Sequence, residues 1–162
     1  MKKAVALILL LLCAFIFVGC GAEKLNGKTE VYTFSGENDY FSVSNGAVVL
    51  DGEEEAFSGG HLTVLQDELF SDIVSYDADF YIIKDGNDKR AVLSSSVVDM
   101  TGGSVRFNGD DLGKISGDTI ITNYKMIEEE EWQNNLFFEL TLKDSKGREK
   151  VYEIQMNVEK VY

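Results

Sequence analysis

The chain has 162 residues and a formal net charge of −13 at pH 7, from 28 acidic and 15 basic side chains. An acidic protein of this kind is repelled by nucleic acid, which we therefore exclude as a partner. Proline is absent and only two cysteines occur, which excludes a proline-rich stalk and a disulfide-rich scaffold.

The first residues have the layout of an export signal. Lysines at positions 2 and 3 are followed by an apolar run over 4–18. In a helix this run covers about 22 Å, less than the ~30 Å hydrocarbon core of a bilayer, so a permanent membrane-spanning helix is disfavoured. An ordinary cleaved signal peptide is a second alternative, but Cys20-Gly21-Ala22 is a poor small-x-small cleavage site.

Residues Phe17-Val18-Gly19-Cys20 resemble the lipid-attachment motif of bacterial lipoprotein signals, which usually has leucine at the place of Phe17. In that motif the cysteine thiolate takes up a diacylglyceryl group as a thioether, and the small residue before it allows cleavage. The resemblance implies a cleaved signal peptide over 1–19 and lipid, with acyl chains such as palmitate, on Cys20. Because two acyl chains hold a protein stably on a bilayer, we expect an anchor at the extracytoplasmic face of the cell membrane.

The expected cleavage defines the domain organisation. A lipidated N-terminus and short tether occupy 20–29, and a single domain occupies 30–162. A domain of this size buries roughly two thirds of its unfolded surface and needs no disulfide or metal for stability. From Gly21 to Thr29 the tether reaches at most ~30 Å, so we expect the domain to work close to the membrane.

After the tether, short alternating segments separated by glycine- and aspartate-rich turns predict strands. Asn45-Gly46 predicts a two-residue hairpin turn, because a type I′ turn needs positive φ at both positions. Further turns are expected at 85–88 and 145–147, and a solvated connection at 127–133. This pattern predicts an all-β, antiparallel β-sandwich, Ig-like or jelly-roll-like. The predicted strands cover 30–34, 40–44, 47–50, 61–65, 73–83, 91–100, 105–107, 119–124, 136–142 and 152–158.

A short sequence pattern occurs twice. Ser58-Gly59-Gly60 and Thr101-Gly102-Gly103 each open a strand-like segment, and each segment is followed by a pair of acidic residues. One interpretation is a pair of related binding loops lined by carboxylates. The other is a repeated strand unit in two loosely similar halves of the fold, where glycines let the chain kink. We favour the repeated strand unit.

The sequence contains no complete catalytic constellation. His61 is the only histidine, and without a cysteine partner it makes neither a usual zinc site nor a thiol dyad. No Gly-x-Ser-x-Gly elbow is present, and the segment 109–114 is one residue too short between its glycines for a phosphate loop. Catalytic residues, metal ligands and cofactors are accordingly not predicted.

Asp77 and Asp79 are the strongest candidates for a carboxylate pair. They lie on one face of a predicted strand, about 6.6 Å apart between Cα atoms. That spacing is compatible with glycoside hydrolysis or with calcium binding. Because both occupy the face opposite Tyr76 and Phe80, a solvated sheet face is the favoured interpretation.

Calcium and carbohydrate binding stay open as alternatives. Acidic loops occur at 51–55 and 85–88 and at Asp110-Asp111, but none has the spacing of an EF-hand loop. A sugar-binding surface would need exposed aromatic rings. The candidates are Trp132, Tyr40, Tyr81 and Tyr124.

With the cysteine motif, the stretch 36–46 and the two Gly-Gly pairs taken together, the chain resembles small uncharacterised lipoproteins of Firmicutes-type bacteria. The resemblance implies a surface location and a β-rich domain, and no activity. We therefore predict a non-catalytic binding or accessory domain that engages another envelope protein. A carbohydrate- or calcium-binding envelope module is the alternative, followed by a small hydrolase that uses Asp77 and Asp79.

Overall fold

The computed structural model describes residues 29–51, 54–84, 88–105, 110–117 and 133–162. This part of the chain is all-β, and its strands form two antiparallel sheets that pack together, as the sequence predicted. A 3-10 turn over Asp67–Phe70 separates the fourth and fifth strands. The strands are β1 Glu30–Glu37, β2 Phe41–Leu50, β3 Glu55–Ser58, β4 His61–Val64, β5 Ile73–Lys84, β6 Asp88–Val98, β7 Lys114–Gly117, β8 Leu136–Asp144, β9 Glu149–Gln155 and β10 Asn157–Lys160.

We call the two layers sheet A and sheet B. Sheet A has the order β10-β1-β2-β3-β7, and β4 also pairs with β2. Sheet B has the order β6-β5-β8-β9. The pairings Ala47↔Ser58 and Ser44↔His61 belong to one uninterrupted register, so β3 and β4 are two halves of one partner for β2.

Phenylalanine rings from both sheets form the centre of the core. Phe34 and Phe57 of sheet A lie 5.5 Å and 5.2 Å from Phe80 of sheet B, between ring centroids. Phe41 lies 5.8 Å from Phe138 in the same edge-to-face manner. Edge-to-face pairs add about 0.5–1.5 kcal/mol each beyond the burial of their area. The two sheets are therefore joined by large apolar side chains.

The predicted hairpin at Asn45-Gly46 is wrong. β2 continues through both residues, and the register of β1 against β2 shifts between Phe34 and Gly36. Gly46 pairs with Phe34, and the extra residue of β2 lies at Ser44-Asn45, which forms a β-bulge. Asn45 has φ 58° but Gly46 does not have positive φ, so the two left-handed residues of a type I′ turn are absent. Gly46 is required for another reason, because a Cβ there would overlap the ring of Phe34.

The chain reverses instead at 51–54. The amide of Asp51 donates to the carbonyl of Glu54 over 3.2 Å, and the amide of Glu54 donates to the Asp51 carboxylate over 2.6 Å. An aspartate that bonds the backbone three residues later is a common turn former. This turn produces β3, which the sequence did not predict.

The last predicted strand is divided between the two sheets. β9 belongs to sheet B and β10 to sheet A, and the chain crosses from one to the other at Met156. The amide of Met156 donates to the carbonyl of Leu136 over 2.8 Å. Gly36 lies against this crossing, since a Cβ there would be 3.1 Å from the Met156 sulfur. Alternation is the same on both sides of Met156, so the sequence pattern carries no sign of the change of sheet.

Several other predicted elements differ or fall outside the described residues. β6 spans Asp88–Val98 in place of 91–100, and Val105 is not in a strand. The strand at 119–124, most of the connection at 127–133 and most of the turn at 85–88 lie outside the described residues. β7 was not predicted, whereas the hairpin of β8 and β9 is confirmed, with Phe138 opposite Ile154.

Candidate functional site

Four connections lie at the same end of the fold, which we call the loop end. They are the turn 38–40 between β1 and β2, the connection 65–72 between β4 and β5, the loop 99–105 after β6, and the turn 145–148 between β8 and β9. The antiparallel registers place the adjoining strand ends side by side, with Phe41 opposite Val64 and Ser75 opposite Val98.

The connection 65–72 holds the other three together. Two of its residues are hydrogen-bonded to the 38–40 turn. The amide of Leu65 donates to the Tyr40 carbonyl over 2.8 Å, and the side-chain amide of Gln66 donates to the Asp39 carbonyl over 2.9 Å. The Ser104 hydroxyl donates to the Ser71 carbonyl, and the Ser145 amide donates to the Asp72 carbonyl, both over 3.1 Å. The loop end is thus one hydrogen-bonded unit.

Short polar side chains shape three of these loops. The Asn38 side-chain oxygen accepts from the amides of Tyr40 and Phe41, at 2.8 and 3.0 Å. Asp99 accepts from the amide and hydroxyl of Thr101 at 2.7 and 2.6 Å, and hydrogen bonds from Thr101 lower the pKa of Asp99. Such local bonds replace the strand ladder and favour turns.

Asp144 has the same role in the 145–148 turn. Its carboxylate accepts from the amides of Lys146 and Arg148, each over 2.9 Å, and from the Arg148 guanidinium over 2.6 Å. The backbone bond from Arg148 is the main cause that lowers the pKa of Asp144. A carboxylate with three donors stays ionised and fixes the hairpin tip.

Exposed apolar side chains are concentrated at the loop end. In the described part of the chain, eight large apolar side chains are exposed, and four of them lie here. Their exposed fractions are 39 % for Tyr40, 49 % for Leu65, 59 % for Val98 and 89 % for Met100. Exposed apolar groups clustered in one region are typical of binding surfaces.

The loop end also contains two surface depressions. One, of about 330 Å³, is lined by apolar residues that include Leu69 and Leu142 and by charged residues that include Glu68 and Arg148. The other, of about 630 Å³, is lined by residues of the 97–99 and 101–105 segments. A surface that combines apolar and charged residues suits a protein or peptide partner.

Asp77 and Asp79 lie on the outer face of sheet B, opposite the buried Tyr76 and Phe80, as the alternation predicted. Asp77 accepts a hydrogen bond from Ser96, and Asp79 is paired in register with Glu139. These carboxylates belong to a charged outer surface of sheet B, and Ser96 on β6 separates Asp77 from the exposed Val98.

Lys89 balances the acids of that surface. Its ammonium group lies 2.7 Å from Glu139 and 3.2 Å from Glu153, and these partners raise the pKa of Lys89. The Tyr81 hydroxyl donates to Glu153, and burial together with that bond raises the pKa of Tyr81 to about 12. The hydrogen bond from Tyr81 and the charge of Lys89 lower the pKa of Glu153.

The two described aromatic residues among the candidates for sugar binding differ in their solvent exposure. Tyr81 is only 3 % exposed and stacks on Phe137 at 5.5 Å between centroids, so the expectation of an exposed platform there is wrong. Tyr40 is exposed at the loop end and lies 4.8 Å from Tyr152. Tyr124 and Trp132 lie outside the described residues.

The candidate calcium residues that the structure describes have structural partners. Asp110 accepts from the buried Tyr76 hydroxyl over 2.9 Å, and burial raises the pKa of Tyr76. Asp111 accepts from the Gly113 amide over 2.8 Å, and His61 forms a β-bridge with it. No group of three or more histidines, cysteines, aspartates or glutamates within the described ranges is arranged to hold a metal ion. The loops 51–55 and 85–88 include residues outside those ranges.

Cys20 and the apolar run 4–18 also lie outside the described residues. Among the residues that are described, no helix is long and apolar enough to cross a membrane. Comparison of the chain with protein-family models, with curated proteins and with solved structures found no significant match.

Sequence reasoning did not find the loop end, although two signals were present. Asn38, Asp99 and Asp144 each lie just after or at the end of a strand, where such residues form turns. Val98 and Met100 are apolar residues next to one of those turns. Only the strand pairing shows that the loops they belong to lie together.

Proposed function

We propose that this protein is a lipid-anchored module on the extracytoplasmic face of the cell membrane that binds another envelope protein, without catalysis, through its loop end. Cys20 is the attachment point, and the domain is a β-sandwich of Ig-like or jelly-roll-like type. The observation that carries the proposal is the concentration of half of the exposed large apolar side chains of the described residues at one end.

The position of the loop end relative to the tether supports this role. β1 begins at Glu30, directly after the tether, and its eight residues end beside the 38–40 turn. At 3.3 Å per residue, about 25 Å separates the tether from the loop end. The binding surface is therefore kept away from the point of attachment and stays accessible to a protein in the same envelope.

The composition of the loop end favours a protein partner. Tyr40, Leu65 and Met100 are exposed apolar side chains in three of its loops, and residues of both charges, including Asp72 and Arg148, lie at the same end. Interfaces commonly have an apolar centre with a polar rim, and tyrosine and methionine are enriched in them. Charged residues around an interface determine the orientation of the bound partner more than its affinity.

Carbohydrate binding is the second candidate, and one observation favours it. Tyr40, which is exposed, and Tyr152, which is partly buried, form a pair of rings beside the loop end, with 4.8 Å between centroids. A sugar ring stacks on such a surface through its apolar face. A glycan would then replace the protein partner at the same end of the fold.

Photo-crosslinking in intact bacterial cells tests the main proposal. A photo-reactive residue is introduced at position 65 of the full chain, and a matched control has it at position 151, where Val151 is also apolar and 58 % exposed but lies on β9. We expect one recurrent envelope protein to be captured from position 65 and not from position 151. Equal capture from both positions, or capture from neither, would overturn the proposal.

The anchor is tested separately with the Cys20→Ala variant. Metabolic labelling with a palmitate analogue should mark the wild-type chain and leave the variant unlabelled. The variant should also lose the capture from position 65 if the partner is a membrane protein met at the surface. A labelled Cys20→Ala chain would contradict lipidation at this residue.

A further inference from the structure

The free edge of sheet B is the second unusual surface of this molecule. β6 is an edge strand of 11 residues, and within the described ranges it pairs with β5 alone. An edge strand presents a row of backbone N–H and C=O groups, and proteins usually protect such edges with charges, bulges or short length. β9, at the opposite edge, has that protection in Glu149, Lys150 and Glu153.

The central part of β6 has no charged side chain. From Val92 to Val98 the sequence is Val-Leu-Ser-Ser-Ser-Val-Val, and charged residues occur only before it, at 88–90, and after it, at Asp99. The register shift between Phe80 and Tyr81 places a bulge near Val92. Among the described residues, none pairs with the outer edge of the regular stretch from Leu93 to Val97.

This stretch reads nearly the same in both directions around Ser95. Ser94 mirrors Ser96, Leu93 mirrors Val97, and Val92 mirrors Val98. In an antiparallel pair of two identical strands about a twofold axis, each residue faces its mirror position. With the axis at Ser95, Leu93 faces Val97 and Ser94 faces Ser96, so apolar residues meet apolar residues and serines meet serines.

We propose that a second copy of this chain occupies the edge, with β6 of each copy paired antiparallel about a twofold axis at Ser95. The two four-stranded sheets then join into one continuous sheet. Leu93, which is only partly buried and packs on the core, lies beside Val97 of the second copy, so the pairing covers apolar area that each copy leaves at its edge.

Charges at the ends of the paired segment agree with this arrangement. Antiparallel pairing centred on Ser95 places Asp99 of one copy opposite Ala91 of the other, beside Arg90, and this occurs twice by symmetry. In a chain with net charge −13, most other approaches of two copies bring acids together. The β6 edge is a region where two copies meet with opposite charges.

The pairing also covers part of the loop end. Val98 and Met100, with 59 % and 89 % exposure, lie at or just beyond the end of β6 and come close to the second copy. Tyr40 and Leu65 lie in other loops and stay available for the envelope partner. The proposal goes beyond the proposed function and does not depend on it.

A cysteine at the twofold axis provides the test. Directly opposite residues in an antiparallel pair have Cα atoms about 4.5–5.5 Å apart, within the range that a disulfide bridges. In the full chain expressed in bacterial cells, Ser95→Cys should give a disulfide-linked homodimer after mild oxidation. The matched control is Val151→Cys, an exposed position on the opposite edge strand of the same sheet.

Sedimentation of the detergent-extracted full chain, without any added cysteine, gives an independent result. At tens of micromolar we expect a population of dimer for the wild type, and at least tenfold weaker association for the Ser94→Lys/Ser96→Lys variant, whose melting temperature should be close to wild type. Lysines on an edge strand block pairing without entering the core.

Three results would overturn the proposal. In the first, Ser95→Cys gives no more disulfide-linked homodimer than Val151→Cys does. In the second, the lysine variant sediments like the wild type. In the third, Ser95→Cys becomes cross-linked to a different protein. Each is separate from failure of the proposed function, which is measured by capture from position 65.

Discussion

The two Gly-Gly pairs of this chain share a sequence pattern and have different structures. Gly59-Gly60 is buried between β3 and β4, opposite the bulge at Asn45, and Gly60 has φ +75°. Gly102-Gly103 lies in an exposed loop at the loop end, where the first glycine of the pair has φ +79°. The left-handed residue therefore falls at different positions of the repeated pattern.

The comparison corrects the expectation of a repeated strand unit. Residues 101–105 form a loop, and 106–109 lie outside the described residues. The two segments do share a buried apolar residue two positions after the Gly-Gly pair, which is Leu62 in the first segment and Val105 in the second. The repeat conserves one core contact and not the backbone conformation, which depends on what packs around each glycine.

The largest expected effect is at Gly60. A Cβ there would overlap the Ser44 carbonyl and lie 2.6 Å from the Gly46 amide nitrogen, and a left-handed φ adds further strain. We expect Gly60→Ala to reduce the free energy of unfolding by at least about 3 kcal/mol, a size seen for severe core and backbone clashes. Urea unfolding measures this, and a loss below 1 kcal/mol would contradict the buried kink.

A smaller loss is expected for Gly59→Ala. Its Cβ would be 2.7 Å from the Leu112 Cβ and 2.8 Å from the Phe80 ring, so side chains on both sheets must shift. Overpacking of this kind typically costs about 1–3 kcal/mol. The urea midpoint should fall between those of Gly60→Ala and the wild type. A stability equal to wild type would show that the core at this position has room.

Gly102→Ala tests the other half of the comparison. Its φ is equally left-handed, but a Cβ there has no atom within 4 Å. The expected loss is about 1 kcal/mol, because only the backbone conformation is disfavoured. If Gly102→Ala were as damaging as Gly60→Ala, backbone strain alone would explain both positions, and the contact with Ser44 would be irrelevant.

The smallest effect is a pH dependence of the loop that contains the second pair. Hydrogen bonds from Thr101 lower the pKa of Asp99 in the folded protein. A carboxyl with a lowered folded pKa contributes stability above its unfolded pKa near 4, and this contribution is lost as pH falls through the folded pKa. The carboxyl is exposed, so the contribution should be small.

Carbon-detected NMR titration of the Asp99 carboxyl measures this directly. Its midpoint should lie below the ordinary value of an exposed aspartate, near 4. In the Thr101→Val variant, which keeps the amide donor and loses the hydroxyl, the midpoint should rise toward the ordinary value. An unchanged midpoint would assign the shift to the backbone bonds of the loop alone.

Much of the fold could be predicted from the sequence because apolar and polar residues alternate along many of the strands. Strands such as β5 and β8 have one face buried against the other sheet, so apolar and polar residues alternate along them and place Asp77 and Asp79 outside correctly. The same alternation also predicted the β8–β9 hairpin. Four-residue strands such as β3 and β7 have too few buried positions for a periodic signal.

The loop end could not be predicted from the sequence in the same way. Turn-forming residues such as Asn38, Asp99 and Asp144 indicate where the chain bends, but a turn carries no information about which other turns lie beside it. Asn45-Gly46 shows the same limit. Its sequence indicates a residue with positive φ, but it does not distinguish a hairpin turn from the β-bulge that the structure contains.

The sequence by itself determined the all-β class, the outer position of Asp77 and Asp79 and several of the turns, because these follow from residue periodicity and local backbone preference. Tertiary structure alone decided how Asn45, Gly60 and Gly102 are used, which loops meet at the loop end, and that β6 is an edge among the described strands. Each of those depends on contacts between residues far apart in the chain, which residue periodicity and local backbone preference do not specify.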